Sequence, residues 1–156
     1  MVPQRIEREI VIDAPVDVVW AVVTEPRHIS RWFSDSVDLD LRPGGKAVLR
    51  WNGRDAVQGR VERVEPPHFF SFRWVLDHGP DVTEDNSTLV EFSLSAEGES
   101  TRLTVVESGF RDLAGPDDEK QRHVDGHQRG WALELGDLHG YVAQRIGTPA
   151  TREDDQ

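Results

Sequence analysis

Hydrophobic and polar residues alternate along much of the chain, a period of two that is typical of β-strands. The first alternating run places Ile6, Ile10 and Ile12 on one face. Turn-forming segments separate the later runs, among them Pro43-Gly44-Gly45 and the hairpin signal Asn52-Gly53. This pattern predicts about six or seven strands, nearly all joined by short antiparallel turns. Within the run that ends at Val64, Gly59 is expected to mark a bulge.

Helical spacing interrupts the alternation in three places. Asp13-Ala14-Pro15 and Thr24-Glu25-Pro26 each place a capping-type residue close before a proline, so we expect two short helices after the first strand. A long helix is predicted from about Asp118 to Ile146. Its large apolar residues share one narrow stripe, and its glycines project away from it. The stripe contains Val124, Trp131, Leu135, Leu138 and Val142, and the glycines are Gly126, Gly130, Gly136 and Gly140.

The order of elements predicts an α+β fold. A sheet with one apolar face must cover that face, and only the C-terminal helix is long enough to do so. We therefore expect a curved antiparallel sheet around this helix, with the two short helices closing one end. Residues 1–146 are expected to form a single domain. The acidic segment 147–156 lacks apolar residues that could dock, so it is expected to be a disordered tail.

Composition and charge narrow the classes of function. The 156 residues include no cysteine, which excludes disulfides, thiolate zinc sites and cysteine nucleophiles. Because 29 acidic residues face 18 basic ones, for a formal net charge of −11, we expect neither nucleic acid nor an anionic membrane as a partner. No apolar run is long enough for a signal peptide or a bilayer span, and a cytoplasmic location is the expectation.

Five groups of residues carry a family resemblance. They are Ile10-Val11-Ile12-Asp13-Ala14-Pro15 with Val19-Trp20, Pro26 through Trp32-Phe33, Gly59-Arg60-Val61 to Pro66-Pro67, Thr104 through Phe110, and Gly130-Trp131 with Leu135 and Leu138. In order and spacing, residues 6–143 resemble the START and birch-pollen-allergen-like superfamily (SRPBCC). Within it, they resemble the branch named after the activator of the ninety-kilodalton heat-shock-protein ATPase. This resemblance implies a helix-grip fold with a cavity between the sheet and the long helix. The superfamily includes lipid carriers, hormone receptors, polyketide cyclases and co-chaperones, so the fold does not determine the activity.

Aromatic residues dominate the stripes that would face the helix, and they predict a cavity suited to a flat, hydrophobic ligand. An ordinary packed core is the alternative interpretation. The candidate ligand-binding residues are Trp32, Trp51, Phe70, Phe72, Trp74, Phe92, Leu103, Trp131 and Leu135.

Glu107 and His127 are the candidate catalytic residues. Glu107 continues the inward period of Leu103 and Val105, where an unpaired carboxylate would be costly to bury, so it could accept a ligand hydroxyl or act as a general base. Alternatively, the strand twists outward and Glu107 meets water or an arginine. His127 lies one helical turn before Trp131, where it could pair with Glu107 at the mouth or form an ordinary hydrogen bond at the rim.

No cofactor and no metal are predicted. His123 and His127 have a chelating spacing of four, but the run His-Val-Asp-Gly-His lacks the metalloprotease glutamate and a third ligand. The loops Asp77–Ser87 and Arg111–Glu119 are expected to flank and gate the pocket mouth, with ordinary surface variation as the alternative.

Three functions remain open from the sequence. The first is a binding protein for a hydrophobic or aromatic small molecule. The second is an enzyme without cofactor, either a polyketide cyclase or aromatase-like one that uses Glu107 or His127 as acid or base, or a hydrolase-like one. The third is a co-chaperone-like module that binds a protein partner, and a homodimer is also open.

Overall fold

The computed structural model describes residues 2–76 and 81–146. Its elements are β1 (Arg5–Ile12), α1 (Val16–Thr24), α2 (Pro26–Trp32), β2 (Ser36–Leu39), β3 (Lys46–Arg50), β4 (Val57–Glu65), β5 (Phe69–Val75), β6 (Ser87–Glu97), β7 (Ser100–Ser108), a single 3-10 turn (Phe110–Asp112) and α3 (Asp117–Ile146). None of the helices in these two ranges combines the length and apolarity that a membrane span requires.

The seven strands form one antiparallel sheet in the order β1-β7-β6-β5-β4-β3-β2. Strands β2 to β7 form a meander, and β1 returns to pair with β7, placing Ile6 opposite Glu107 and Ile10 opposite Leu103. The two short helices lie in the chain between the two edge strands of the sheet. This arrangement confirms the predicted α+β, helix-grip architecture.

Helix α3 covers the apolar face of the sheet with the predicted stripe. All five large residues of that stripe are buried, and burial of each such side chain contributes about 1.5–3 kcal/mol. The four glycines lie elsewhere on the helix, because a Cβ added at any of them would meet no atom within 4 Å. Packing of the stripe therefore holds a helix that its glycines would weaken.

The two short helices begin where the prolines predicted, but without side-chain caps. Pro15 itself is the N-cap of α1 at φ −63°, and the Asp13 carboxylate instead accepts a hydrogen bond from the Ser100 hydroxyl at 3.3 Å. Glu25 is the N-cap of α2, again without a side-chain bond, while the Thr24 hydroxyl donates to a carbonyl within α1. The preset backbone angle of proline, rather than side-chain capping, marks these helix starts.

The bulge predicted at Gly59 is wrong in position. The pairing of β4 with β5 shifts register between Val61 and Arg63, whereas Gly59 pairs regularly with Trp74. A Cβ at position 59 would lie 2.7 Å from the carbonyl oxygen of Arg73, closer than real side chains approach. Glycine is therefore required here by the close approach of the neighbouring strand.

The predicted tail over 147–156 lies outside the described residues, as do positions 77–80 of the predicted loop. The described part of that loop, 81–86, consists of a bend and turns before β6 begins at Ser87.

Candidate functional site

A cleft of about 570 Å³ opens between α3 and the end of the sheet formed by β5 and the loop from β3 to β4. Its described lining comes from three parts of the chain. These are the segment after α2 (Phe33, Asp35), the sheet end (Trp51, Asn52, Arg54, Val57, Trp74, Val75, Leu76) and α3 (Gly126, His127, Gly130, Trp131, Glu134). Because Gly126 and Gly130 lie one turn apart, α3 presents bare backbone to the cleft between its larger side chains.

Stacked aromatic rings form the inner wall of the cleft. The Phe33 ring stacks on Trp131 and on Trp74, with centroids 5.5 Å and 5.7 Å apart and planes within 12° and 18°. It meets Trp51 edge-on at 5.5 Å. Such aromatic pairs add about 0.5–1.5 kcal/mol each beyond area burial, so they fix one another's orientation. Within this wall Trp74 and Trp131 are buried, whereas Phe33 and Trp51 are half-buried.

The indole N–H groups of the three wall tryptophans all bond within the protein. Trp51 donates to the carbonyl oxygen of Phe33 at 3.0 Å. Trp74 and Trp131 donate to the carboxylate of Glu107, at 2.9 Å and 2.8 Å. With their polar atoms directed into the protein, these rings offer the cleft only their apolar faces and edges.

Glu107 is fully buried at the centre of this network. Besides the two indoles, its carboxylate accepts hydrogen bonds from the Thr88 hydroxyl at 2.5 Å and from Nδ1 of His127 at 2.8 Å and 2.9 Å. Burial raises the pKa of Glu107, but the hydrogen bond and charge of His127, with the bonds from Thr88 and Trp131, outweigh burial. Together they hold that pKa below its ordinary value of 4.5. The carboxylate is therefore ionised near neutral pH.

This geometry gives Glu107 and His127 different positions relative to the cleft. Glu107 is not among the lining residues, because its four donors surround it, and it meets neither solvent nor an arginine. His127 does line the cleft, and its side chain is 25% exposed. Since Nδ1 bonds Glu107, the other nitrogen, Nε2, lies on the opposite edge of the ring. The pair has the form of a histidine oriented by a buried carboxylate.

The structure distributes the predicted ligand-binding residues over three environments. Trp51, Trp74 and Trp131 line the cleft. Deeper in the fold, a void of only about 30 Å³ is lined by Trp32, Phe70, Phe72 and Phe92, and Leu103 and Leu135 lie in the packed core. The phenylalanine rings fill the middle of the sheet because they pack on one another, with centroids 5.6–6.1 Å apart. Space for a ligand therefore exists at the open end of the sheet rather than at its centre.

Sequence reasoning missed the residues that complete the cleft: Phe33, Asp35, Asn52, Arg54, Val57, Val75, Leu76, Gly126, Gly130 and Glu134. Four of them, Phe33, Asp35, Asn52 and Arg54, lie in the connections after α2 and between β3 and β4, where no periodicity predicts their direction. One signal was available for two of them. Gly126 and Gly130 have the spacing of one helical turn on a long helix, and paired glycines of this kind leave room beside the backbone.

The two loops expected to gate the mouth do not line the cleft in their described parts. They bond to each other instead, since the backbone N–H of Ala114 donates to the carbonyl oxygen of Asp85 at 2.8 Å. The described rim consists of the segment after α2, the loop from β3 to β4 and the exposed side of α3. Across residues 2–76 and 81–146, no group of three or more potential metal ligands occurs.

Acidic side chains occupy part of the rim. Partial burial, the charge of Asp137 and a hydrogen bond with Asp137 raise the pKa of Glu134 to about 7. On the other side, the carboxylate of Asp35 accepts the backbone N–H of Asn52 at 2.5 Å. Arg54 lies between Asn52 and the start of β4.

The lowered pKa of Glu107 predicts how stability responds to acid. A carboxyl group whose pKa is lower in the folded state stabilises the protein above its unfolded pKa, and this contribution is lost as the pH falls. We expect the free energy of unfolding in urea to decrease as the pH is lowered from about 5 to about 3. The decrease should be smaller in Glu107→Gln, which removes the titrating group. An equal decrease in both proteins would contradict the assignment.

Comparison with known proteins places the fold in a family. The model of the family described as "Activator of Hsp90 ATPase homolog 1-like protein" (AHSA1) matches residues 13–143. The chain belongs to the AHSA1 family. No curated protein matches the chain.

Solved structures share the AHSA1 fold over nearly the whole chain. CalU16 from Micromonospora echinospora is 29% identical with a TM-score of 0.70, covering 96% of this chain and 80% of that one. DynU16, a protein in the dynemicin biosynthetic locus, is 29% identical with a TM-score of 0.73, covering 95% of this chain and 49% of that one. The Aha1 dimer from Colwellia psychrerythraea is 18% identical with a TM-score of 0.71, covering 92% and 97%, a likeness that concerns the fold alone.

Proposed function

We propose that this AHSA1-family chain binds a hydrophobic or aromatic small molecule in the cleft between α3 and the open end of the sheet. One observation carries the proposal. The indole N–H groups of Trp51, Trp74 and Trp131 all bond inside the protein, so the wall that faces the cleft is apolar although it is built from tryptophans.

The dimensions of the cleft support this proposal. Its volume of about 570 Å³ lies within the range of about 300–1,000 Å³ that small-molecule sites occupy. The inner void of about 30 Å³ is far below that range. A ligand would therefore lie against Phe33 and Trp51 near the opening, with Trp74 and Trp131 behind them.

One neighbour of known structure, DynU16, supports a small-molecule ligand. DynU16 belongs to a locus for dynemicin biosynthesis, and this chain is as similar to it as to CalU16, at 29% identity. By analogy, the ligand of this chain would belong to the biosynthesis of small organic molecules. The analogy concerns the class of ligand and assigns no individual compound.

Titration with acridine, a planar neutral tricycle, tests the proposal. We expect saturable quenching of tryptophan fluorescence with a dissociation constant on the order of 0.1 mM, given the ligand efficiency of small apolar compounds. N-acetyltryptophanamide serves as the control for collisional quenching. A response of the protein that stays linear with acridine, like that of the control, would contradict binding in the cleft.

A cyclase or aromatase-like enzyme is the second candidate function, and the contact of His127 with Glu107 favours it. In this mechanism His127 would exchange a proton with a poly-β-keto-like substrate through Nε2. Glu107 would not touch the substrate and would orient the imidazole. Loss of turnover in His127→Gln with unchanged acridine binding would separate this function from simple binding.

A protein-interaction function, as the family name suggests, has less support from the surface. Within the described residues, the large apolar side chains that are exposed are Val11, Leu41 and Leu133. They lie on β1, after β2 and on α3, so they are spread over separate elements rather than gathered on one. A partner protein or a second copy of the chain would then bind through polar contacts.

A further inference from the structure

The charged groups at the rim of the cleft indicate which charge a ligand would carry. Among the described lining residues, the carboxyl side chains are those of Asp35 and Glu134, and the guanidinium is that of Arg54. Asp137 adds a further carboxyl group that hydrogen-bonds Glu134 from the next turn of α3. Carboxyl groups therefore outnumber permanent cations at this opening.

These carboxyl groups lack a cationic partner in the part of the chain that the structure describes. The ion pairs found there join other residues and include neither Asp35 nor Glu134. Glu134 is instead half-buried, and this burial, together with the charge and hydrogen bond of Asp137, raises its pKa to about 7. A bound cation would reduce the repulsion between the carboxylates of Glu134 and Asp137. It would also stabilise the ionised form of Glu134, which burial disfavours.

The aromatic wall next to these carboxyl groups favours the same kind of ligand. An organic cation is attracted to the negative face of a tryptophan or phenylalanine ring. Phe33 and Trp51 are only half-buried, and the Trp51 N–H, which would repel a cation, bonds the carbonyl of Phe33. Aromatic faces and carboxylates side by side are the two elements that recognise ammonium-type groups in proteins.

We infer that the ligand of the cleft is an aromatic molecule bearing a positive charge, such as a protonated amine or an N-alkylated heteroaromatic ring. Its ring system would lie on Phe33 and Trp51, and its charge would lie toward Glu134 and Asp35. The inference rests on the proposed function and adds the charge of the ligand to it.

The positive charge of Arg54 would repel a bound cation and attract a bound anion. Its removal therefore has opposite effects on the two kinds of ligand. Arg54 is exposed in the loop from β3 to β4, and no ion pair of the described residues includes it. If the site selects a cation, removing this guanidinium strengthens binding. If the site selects an anion, Arg54 is its anchor and the same change weakens binding.

Three probes of nearly equal shape distinguish the effect of ligand charge on affinity from the effect of ligand size. They are N-methylacridinium, acridine and acridine-9-carboxylate. Fluorescence titration at about pH 8, where carboxyl groups are ionised, should show the cation binding more tightly than neutral acridine by about threefold to tenfold. The carboxylate probe should bind most weakly. We expect Glu134→Gln to weaken N-methylacridinium by a similar factor and to change the affinity for acridine less, and Arg54→Gln to strengthen binding of the cation.

Glu99→Gln is the matched control, because it removes one negative charge in the turn between β6 and β7, outside the cleft lining. Equal loss of cation binding in Glu99→Gln and Glu134→Gln would reduce the effect to net charge and overturn the inference. So would tighter binding of the carboxylate probe. If acridine binds without any preference for charge, the inference fails and the proposed function stands. If none of the three probes binds, both fail.

Discussion

Replacing Glu107 with leucine is expected to lower the free energy of unfolding by about 3–5 kcal/mol. The substitution removes the buried acceptor of the Trp131 indole N–H, the Thr88 hydroxyl and Nδ1 of His127, and leaves the Trp74 indole N–H with only the Thr88 hydroxyl oxygen at 3.1 Å. Each buried donor that loses its partner contributes a desolvation penalty of about 1–3 kcal/mol. Urea unfolding followed by far-ultraviolet circular dichroism measures the change.

The near-ultraviolet spectrum should change as well, since Glu107 holds the rings of Trp74 and Trp131 in fixed orientations. Glu107→Gln is expected to destabilise less, because the amide keeps one oxygen acceptor. The control is Glu99→Gln at an exposed turn, where a change within about 0.5 kcal/mol is expected. A loss below about 1 kcal/mol in Glu107→Leu would contradict the central position given to this carboxylate.

Replacing Gly130 with leucine should weaken acridine binding by at least about tenfold while it stabilises the fold. Gly130 lines the cleft, and a Cβ placed there would meet no atom within 4 Å, so a side chain can begin there and extend into the space proposed for the ligand. Removing glycine from the interior of a helix contributes about 0.5–1 kcal/mol. Fluorescence titration and thermal unfolding measure the two effects on the same samples.

Gly136→Leu is the matched control for this variant. Gly136 belongs to the same helix and has the same free space around its Cβ position, but it does not line the cleft. We expect a similar gain in stability and unchanged acridine affinity. If both variants weaken binding equally, the effect comes from the helix as a whole and the cleft is not the binding site.

The hydrophobic periodicity of the sequence predicted most of the fold, because each element buries one face. The alternation at Leu103 and Val105 predicts the inward direction of Glu107, since every second side chain of a strand points to the same face. The stripe from Val124 to Val142 likewise predicts which side of α3 is buried. These features depend on spacing along the chain alone.

The position of the cleft could not be predicted in this way. Whether Phe70, Phe72 and Phe92 enclose a cavity or fill it depends on how their rings pack across neighbouring strands. The opening also depends on Phe33 and Arg54, which lie outside regular elements, where no period fixes the direction of a side chain.

The partners of Glu107 were predictable only in part. His127 follows from the position of Trp131 on α3, one helical turn later. Trp74 and Thr88 reach the carboxylate through the pairing of β5, β6 and β7, where Trp74 lies opposite Thr88 and Val90 lies opposite Glu107. Trp74 and Thr88 precede Glu107 by 33 and 19 positions in the sequence. Their contact with Glu107 therefore becomes known only when the strands are paired.

Native mass spectrometry tests the binding of a small molecule most directly. The protein and its Gly130→Leu and Gly136→Leu variants would each be incubated with a small-molecule extract of the source cells and compared with their denatured masses. We expect a reproducible one-to-one adduct of small-molecule mass on the wild-type chain and on Gly136→Leu, and its loss from Gly130→Leu. An adduct of equal abundance on all three chains, or none on any of them, would contradict a ligand site in the cleft.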